Sequence, residues 1–151
     1  MTRKSTWTNS DGLVVGFGPN TPEVTGALAK DHGSIKTKHV HFKYNSTGVN
    51  VPLPAGATVL GVVLSVDAAW VGGTDIQVGD GSDADGFVTA AQGATANLTA
   101  GASIVGSGLY TKGATDTTAQ ELKVYASADT IDVAFTGTFT AGTATLSVSY
   151  L

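Results

Sequence analysis

From Ser34 to Tyr44 the chain alternates. Val40, Phe42 and Tyr44 fall on one side and His39, His41 and Lys43 on the other, the period-two pattern of a half-buried strand. Thr58 to Ala69 is almost unbroken β-branched and aliphatic sequence, which predicts a strand buried on both faces or one with a bulge at Gly61. Gly72-Gly73 marks a turn, Ile76-Gln77-Val78 a short strand, and Gly79 to Gly86 a tight acidic loop. Glu121 to Ala126, Thr130 to Phe135 and Ala144 to Tyr150 each alternate, with turn residues between them, and together they predict an antiparallel meander. In the last strand Ala144, Leu146, Val148 and Tyr150 share one face, and Thr145, Ser147 and Ser149 the other. Between Phe87 and Gly113 the pattern is weak, with room for one helical turn within 85–92. No long stretch repeats at the helical period. The expected fold is all-β: an antiparallel β-sandwich, jelly-roll-like.

Residues 1–33 differ. They carry the breakers Gly12, Gly16, Gly18, Pro19, Pro22, Gly26 and Gly33, with one extended piece at Leu13 to Phe17. This predicts an extended N-terminal arm over 1–33, followed by a sandwich domain over 34–151.

The 151-residue length suits one core-forming domain. Charged residues make up only 13%, about half the usual share. Such a composition fits a surface partly covered by neighbours, because interface cores are depleted in charge. It also leaves few charges to blunt exposed strand edges, so a neighbour's strand or arm is expected to cover them. The net charge of −4 argues against nucleic-acid binding. The N-terminus has no apolar run of the secretory kind, and no apolar stretch is long enough to span a bilayer. There is no cysteine, so disulfides and thiolate metal sites are excluded.

Candidate chemistry is sparse. His39 and His41 share a strand face and would hold a metal if a third ligand such as His32 joined them. Lys38 and Lys43 nearby oppose a cation, so an interface role is the preferred reading of the pair. Asp75, Asp80, Asp83 and Asp85 form an acidic loop of the kind calcium favours. Counted from Asp80, however, the EF-hand ligand positions fall on Ala84 and Ala91. A polar turn is therefore the better reading, and Asp80, Asp83 and Asp85 remain weak metal candidates. No nucleophile elbow, phosphate loop or zinc-protease motif is present, so neither an enzyme nor a cofactor is expected. Trp7, Trp70 and the tyrosines are the residue types that stack on sugar rings, but packing is the favoured role for them.

Two segments carry a resemblance. One is Trp7-Thr8-Asn9-Ser10-Asp11-Gly12-Leu13-Val14-Val15-Gly16-Phe17-Gly18. The other runs from Val51-Pro52-Leu53-Pro54-Ala55-Gly56-Ala57 through Ala68-Ala69-Trp70 to Ile76-Gln77-Val78-Gly79-Asp80-Gly81-Ser82-Asp83-Ala84-Asp85-Gly86-Phe87. Together with the closing Val148 and Tyr150, they resemble the capsid decoration (cement) proteins of tailed phages. The resemblance implies a β-sandwich that assembles as homotrimers on the outer capsid, binds the major capsid protein and bridges capsomers. The arm is not matched to that family residue by residue; the residues expected to bind a partner are Trp7, Asn9, Asp11, Leu13, Val15 and Phe17 of the arm, with His39 and His41 of the domain. A receptor- or glycan-binding head of a phage tail or fibre is the alternative.

Overall fold

The computed structural model describes residues 35–112 and 122–151, together with the backbone of two short strands at 5–8 and 14–17. The chain divides into two compact units, Met1–His32 and Gly33–Leu151. In the first, β1 (Ser5–Thr8) pairs antiparallel with β2 (Val14–Phe17), setting Trp7 opposite Val15 and Ser5 opposite Phe17. The extended piece legible at Leu13 to Phe17 is thus half of a pair. The other residues of the expected arm lie outside the described residues.

The second unit holds β3 (Lys36–Lys43), β4 (Asn50–Leu53), β5 (Val59–Gly72), β6 (Asp75–Gly79), β7 (Ser103–Val105), β8 (Asp129–Thr136) and β9 (Phe139–Tyr150), with a 3₁₀ turn (Thr95–Asn97) and one turn of α-helix, α1 (Leu109–Lys112). One sheet has the order β3-β9-β5-β7 and the other β4-β8-β6. Successive strands switch sheets: β3, β5, β7 and β9 lie in the first, and β4, β6 and β8 in the second. After β6 one more short pairing, Val88 against Val78, extends the second sheet. This is the wrapping of a jelly-roll sandwich.

The core between the sheets follows the alternation. Leu64, Val66, Leu146 and Val148 face Ile76, Val78, Ile131 and Val133. Val59 and Val62 are an odd number of residues apart, yet both are buried. A register shift at Val59/Gly61 explains this, because one extra residue in β5 reverses which positions point inward. At one corner Trp70 is surrounded by Phe42, Phe135 and Phe139, with ring centroids 5.1–5.8 Å away. Gly142 makes room for it: a Cβ there would lie 2.3 Å from the indole.

Three expectations change. The last strands are not a meander, because β8 belongs to the second sheet and β9 to the first. Gly137 and Thr138 carry the chain across the corner, where Thr138 and Thr136 carbonyls accept from Gly73 and Thr74 N–H. The stretch expected as a strand up to Ala126 is a short run, Lys123 to Tyr125, that bridges Thr58 to Val124 and exchanges backbone hydrogen bonds with Gly56, Ala57 and Val59; Glu121 lies outside the described residues. Nor are the edges undefended. On edge strand β3, Lys38 turns inward, where its Nζ donates to the Pro52 carbonyl and lies 5.7 Å from the centre of the Tyr150 ring. An inward-facing charge, a proline on edge strand β4 and a three-residue edge strand at β7 all discourage further pairing.

Candidate functional site

Two polar clusters stand out, one inside and one outside. The inner one is built on the acidic loop. Asp80 follows β6, and its side chain is only 1% exposed. Its Oδ1 accepts from the N–H groups of Ser82 and Asp83 and from the Tyr110 hydroxyl. Its Oδ2 accepts from the Tyr125 hydroxyl and lies 3.0 Å from Lys123 Nζ. Lys123 also sits 4.0 Å from the centre of the Tyr110 ring. Tyr110 closes down on the loop because Gly86 has no side chain: a Cβ there would lie 2.4 Å from the ring.

Burial alone would raise the Asp80 pKa. The bonds from Lys123, the loop N–H groups and Tyr110 outweigh it and hold the carboxyl below its ordinary value. For Lys123, burial pulls the pKa down, and the bonds to Asp80 and Tyr110 more than reverse that. Burial raises the Tyr125 hydroxyl, and the Asp80 charge raises it further. A fully paired buried carboxylate has no free lone pair to offer a cation. Asp83 accepts from the Asp85 N–H, and the Asp83 carboxylate raises the pKa of Asp85. The weak metal candidates Asp80, Asp83 and Asp85 are thus a turn pinned from within. Among the described residues no three acidic or histidine side chains gather closely enough to hold a metal ion.

The outer cluster lies on the solvent face of the four-stranded sheet. His39 and His41 are both exposed there, opposite Ser147 and Thr145 of β9. His39 Nδ1 is 2.8 Å from Ser147 Oγ, and His41 Nδ1 is 3.2 Å from Thr145 Oγ1. Thr145 donates its hydroxyl to Asp67 of β5, whose Oδ2 is also 3.3 Å from His41 Nδ1. One end of the same face is apolar. Leu151 exchanges backbone hydrogen bonds with Thr58, which bridges to Val124, and Ile35 and Leu151 flank the Lys36–Tyr150 pair. Directly opposed residues in an antiparallel ladder share a face, so Ile35, Leu151, Thr58 and Val124 form a row across the sheet. Ile35, Val124 and Leu151 are each more than half exposed. Further along, Val105 is exposed beside Val63. The only charges on the rows described are Asp67 and Lys43, at the far end.

The sequence pattern placed both histidines on one outward face, and they are there. It gave no sign of Asp67 as their neighbour, of the apolar row, or of Lys123, Tyr110 and Tyr125 converging on Asp80. Trp70, weighed as a sugar platform, is a core residue at 4% exposure. Trp7, Val15 and Phe17 belong to the β1–β2 pair, whereas Asn9, Asp11, Leu13 and His32 lie outside the described residues.

Fold and surfaces together define a two-sheet jelly-roll sandwich with one internally braced loop and one charge-poor sheet face. No protein-family model matches the chain, and no curated protein does. Among solved structures it is similar to a chain of the cyanophage Pam1 capsid asymmetric unit, with a TM-score of 0.55 and 20% identity, over 88% of this chain and 98% of that one. At that identity the likeness is one of fold.

Proposed function

We propose that this protein is a non-enzymatic structural component of a phage virion, which docks on the outer capsid surface and stabilises the shell by bridging capsomers. The observation that carries the reading is the outer face of the four-stranded sheet. An exposed apolar row, hydroxyl-rich strands and only two charged groups form a surface suited to burial against protein. The capsid membership of the fold neighbour supports the same reading. In this reading the major capsid protein and two further copies of the chain are the partners. Residues 1–33 act as an arm reaching a neighbour through Trp7, Asn9, Asp11, Leu13, Val15 and Phe17, and His39 and His41 line the docking face. Neither a cofactor nor a reaction is involved.

The test is co-sedimentation with purified phage heads stripped of the protein, alongside the solution mass across a dilution series. Saturable binding by a trimer of three 15.1 kDa chains, lost in Val124→Lys or Val105→Lys, is the expected result. Failure to bind heads, or binding untouched by either substitution, overturns the docking face.

A further inference from the structure

We propose that His39 and His41 form a two-imidazole site for a borderline divalent transition-metal ion such as Zn²⁺ or Ni²⁺. The argument starts from a proton count at Thr145. Its hydroxyl has one proton, which goes to Asp67 Oδ2 at 3.1 Å. Toward His41, 3.2 Å away, Thr145 therefore acts as an acceptor. The proton between them belongs to His41 Nδ1, which Asp67 Oδ2 also faces at 3.3 Å. The lone pair of the neutral ring is thereby left on Nε2, away from these partners. A carboxylate and a hydroxyl behind Nδ1 are the surroundings that orient a metal-binding imidazole.

His39 Nδ1 likewise lies against a β9 hydroxyl, Ser147 Oγ at 2.8 Å, and in the tautomer that donates this bond its Nε2 lone pair is also free. Two residues apart on a strand, the rings leave the same face with Cα atoms about 6.6 Å apart, near enough for both Nε2 atoms to reach one ion with the Nδ1 contacts kept. Imidazole nitrogen suits zinc, copper and nickel rather than calcium or magnesium, and water completes the shell. Of the neighbouring cations, Lys38 is turned to the opposite side of β3, onto Pro52. Lys43 shares the outward side, and the Asp67 charge offsets it. The inference rests on these contacts alone and is independent of what the face docks.

Calorimetric titration of the full, chelator-stripped chain with Ni²⁺ or Zn²⁺ near neutral pH tests it. Saturable uptake of one ion per chain is expected. Affinity should fall at least tenfold in His39→Ala and in His41→Ala, and about 10- to 100-fold in Asp67→Asn. The metal-free melting temperature should be unchanged in all three, because these side chains are exposed. Absence of saturable binding overturns the site. Undiminished binding in the His39→Ala/His41→Ala double variant also overturns it, since the ion then sits elsewhere on the chain.

Discussion

The Asp80 and Asp67 clusters use the same chemistry in two solvents. Each sets a carboxylate against a nitrogen base and hydroxyls at about 3 Å. The Asp80 side chain is 1% exposed and that of Asp67 is 47% exposed. Inside, every lone pair must find a donor, and the cluster braces a loop to the segment around Lys123. Outside, water competes for each bond, and the cluster orients imidazoles at little cost to the fold. Burial, and not residue type, decides whether such a group supports the fold or remains available to a ligand.

Substitutions separate the two. Asp80→Ala should have the largest effect, about 3–5 kcal/mol lost in chemical denaturation, because it strands Lys123 and two tyrosine hydroxyls. Since whole domains hold only about 5–15 kcal/mol, partial unfolding at 37 °C is expected. Joint replacement of Asp80 and Lys123 by Leu and Met should cost clearly less than Asp80→Ala, and an equal cost would mean that the turn needs the carboxylate for its N–H groups alone. Tyr125→Phe removes one bond to a charged acceptor and should cost about 1.5–3 kcal/mol.

The pH dependence follows from the directions of the shifts. Asp80 is lowered from 3.8, so its contribution is present above that value and is lost as pH falls through the folded value beneath it. Lys123 is raised from 10.5, so its contribution is present below that value and is lost as pH rises past it. Melting temperature against pH should therefore fall at both extremes, and both falls should flatten in Asp80→Ala. The smallest effect belongs outside: Asp67→Ala should change stability by no more than about 0.5 kcal/mol.

Strands β3 and β8 and the second half of β9 were legible because period two survives wherever one face is buried, and β5 and β6 because their runs of aliphatic residues are bounded by turn residues. Of the two readings of the aliphatic run, burial on both faces or a bulge at Gly61, the register shift at Val59/Gly61 selects the bulge. Sheet membership was not legible. Gly137-Thr138 has the composition of a hairpin turn and yet crosses between sheets, because local turn chemistry does not encode what the strand beyond it pairs with. The Asp80 cluster was hidden for the same reason: Tyr110 and Tyr125 are 30 and 45 residues from Asp80 along the chain. Only the sheet-switching path brings them together. Lys38 escaped notice as an edge guard because its inward direction is visible only once β3 is known to be an edge.

The place of β9 between β3 and β5 also sets a timetable. Lys36 pairs with Tyr150, so the earliest strand of the sandwich waits for the last one synthesised. Pairings this remote in sequence make folding slow, and chains emerge from the ribosome at only about 5–20 residues per second. Until β9 has been made, β5 has no central partner and its aliphatic face stays open. The four-stranded sheet therefore closes only once β9 is available, and a chain cut short within β9 is left without the strand that joins the other two.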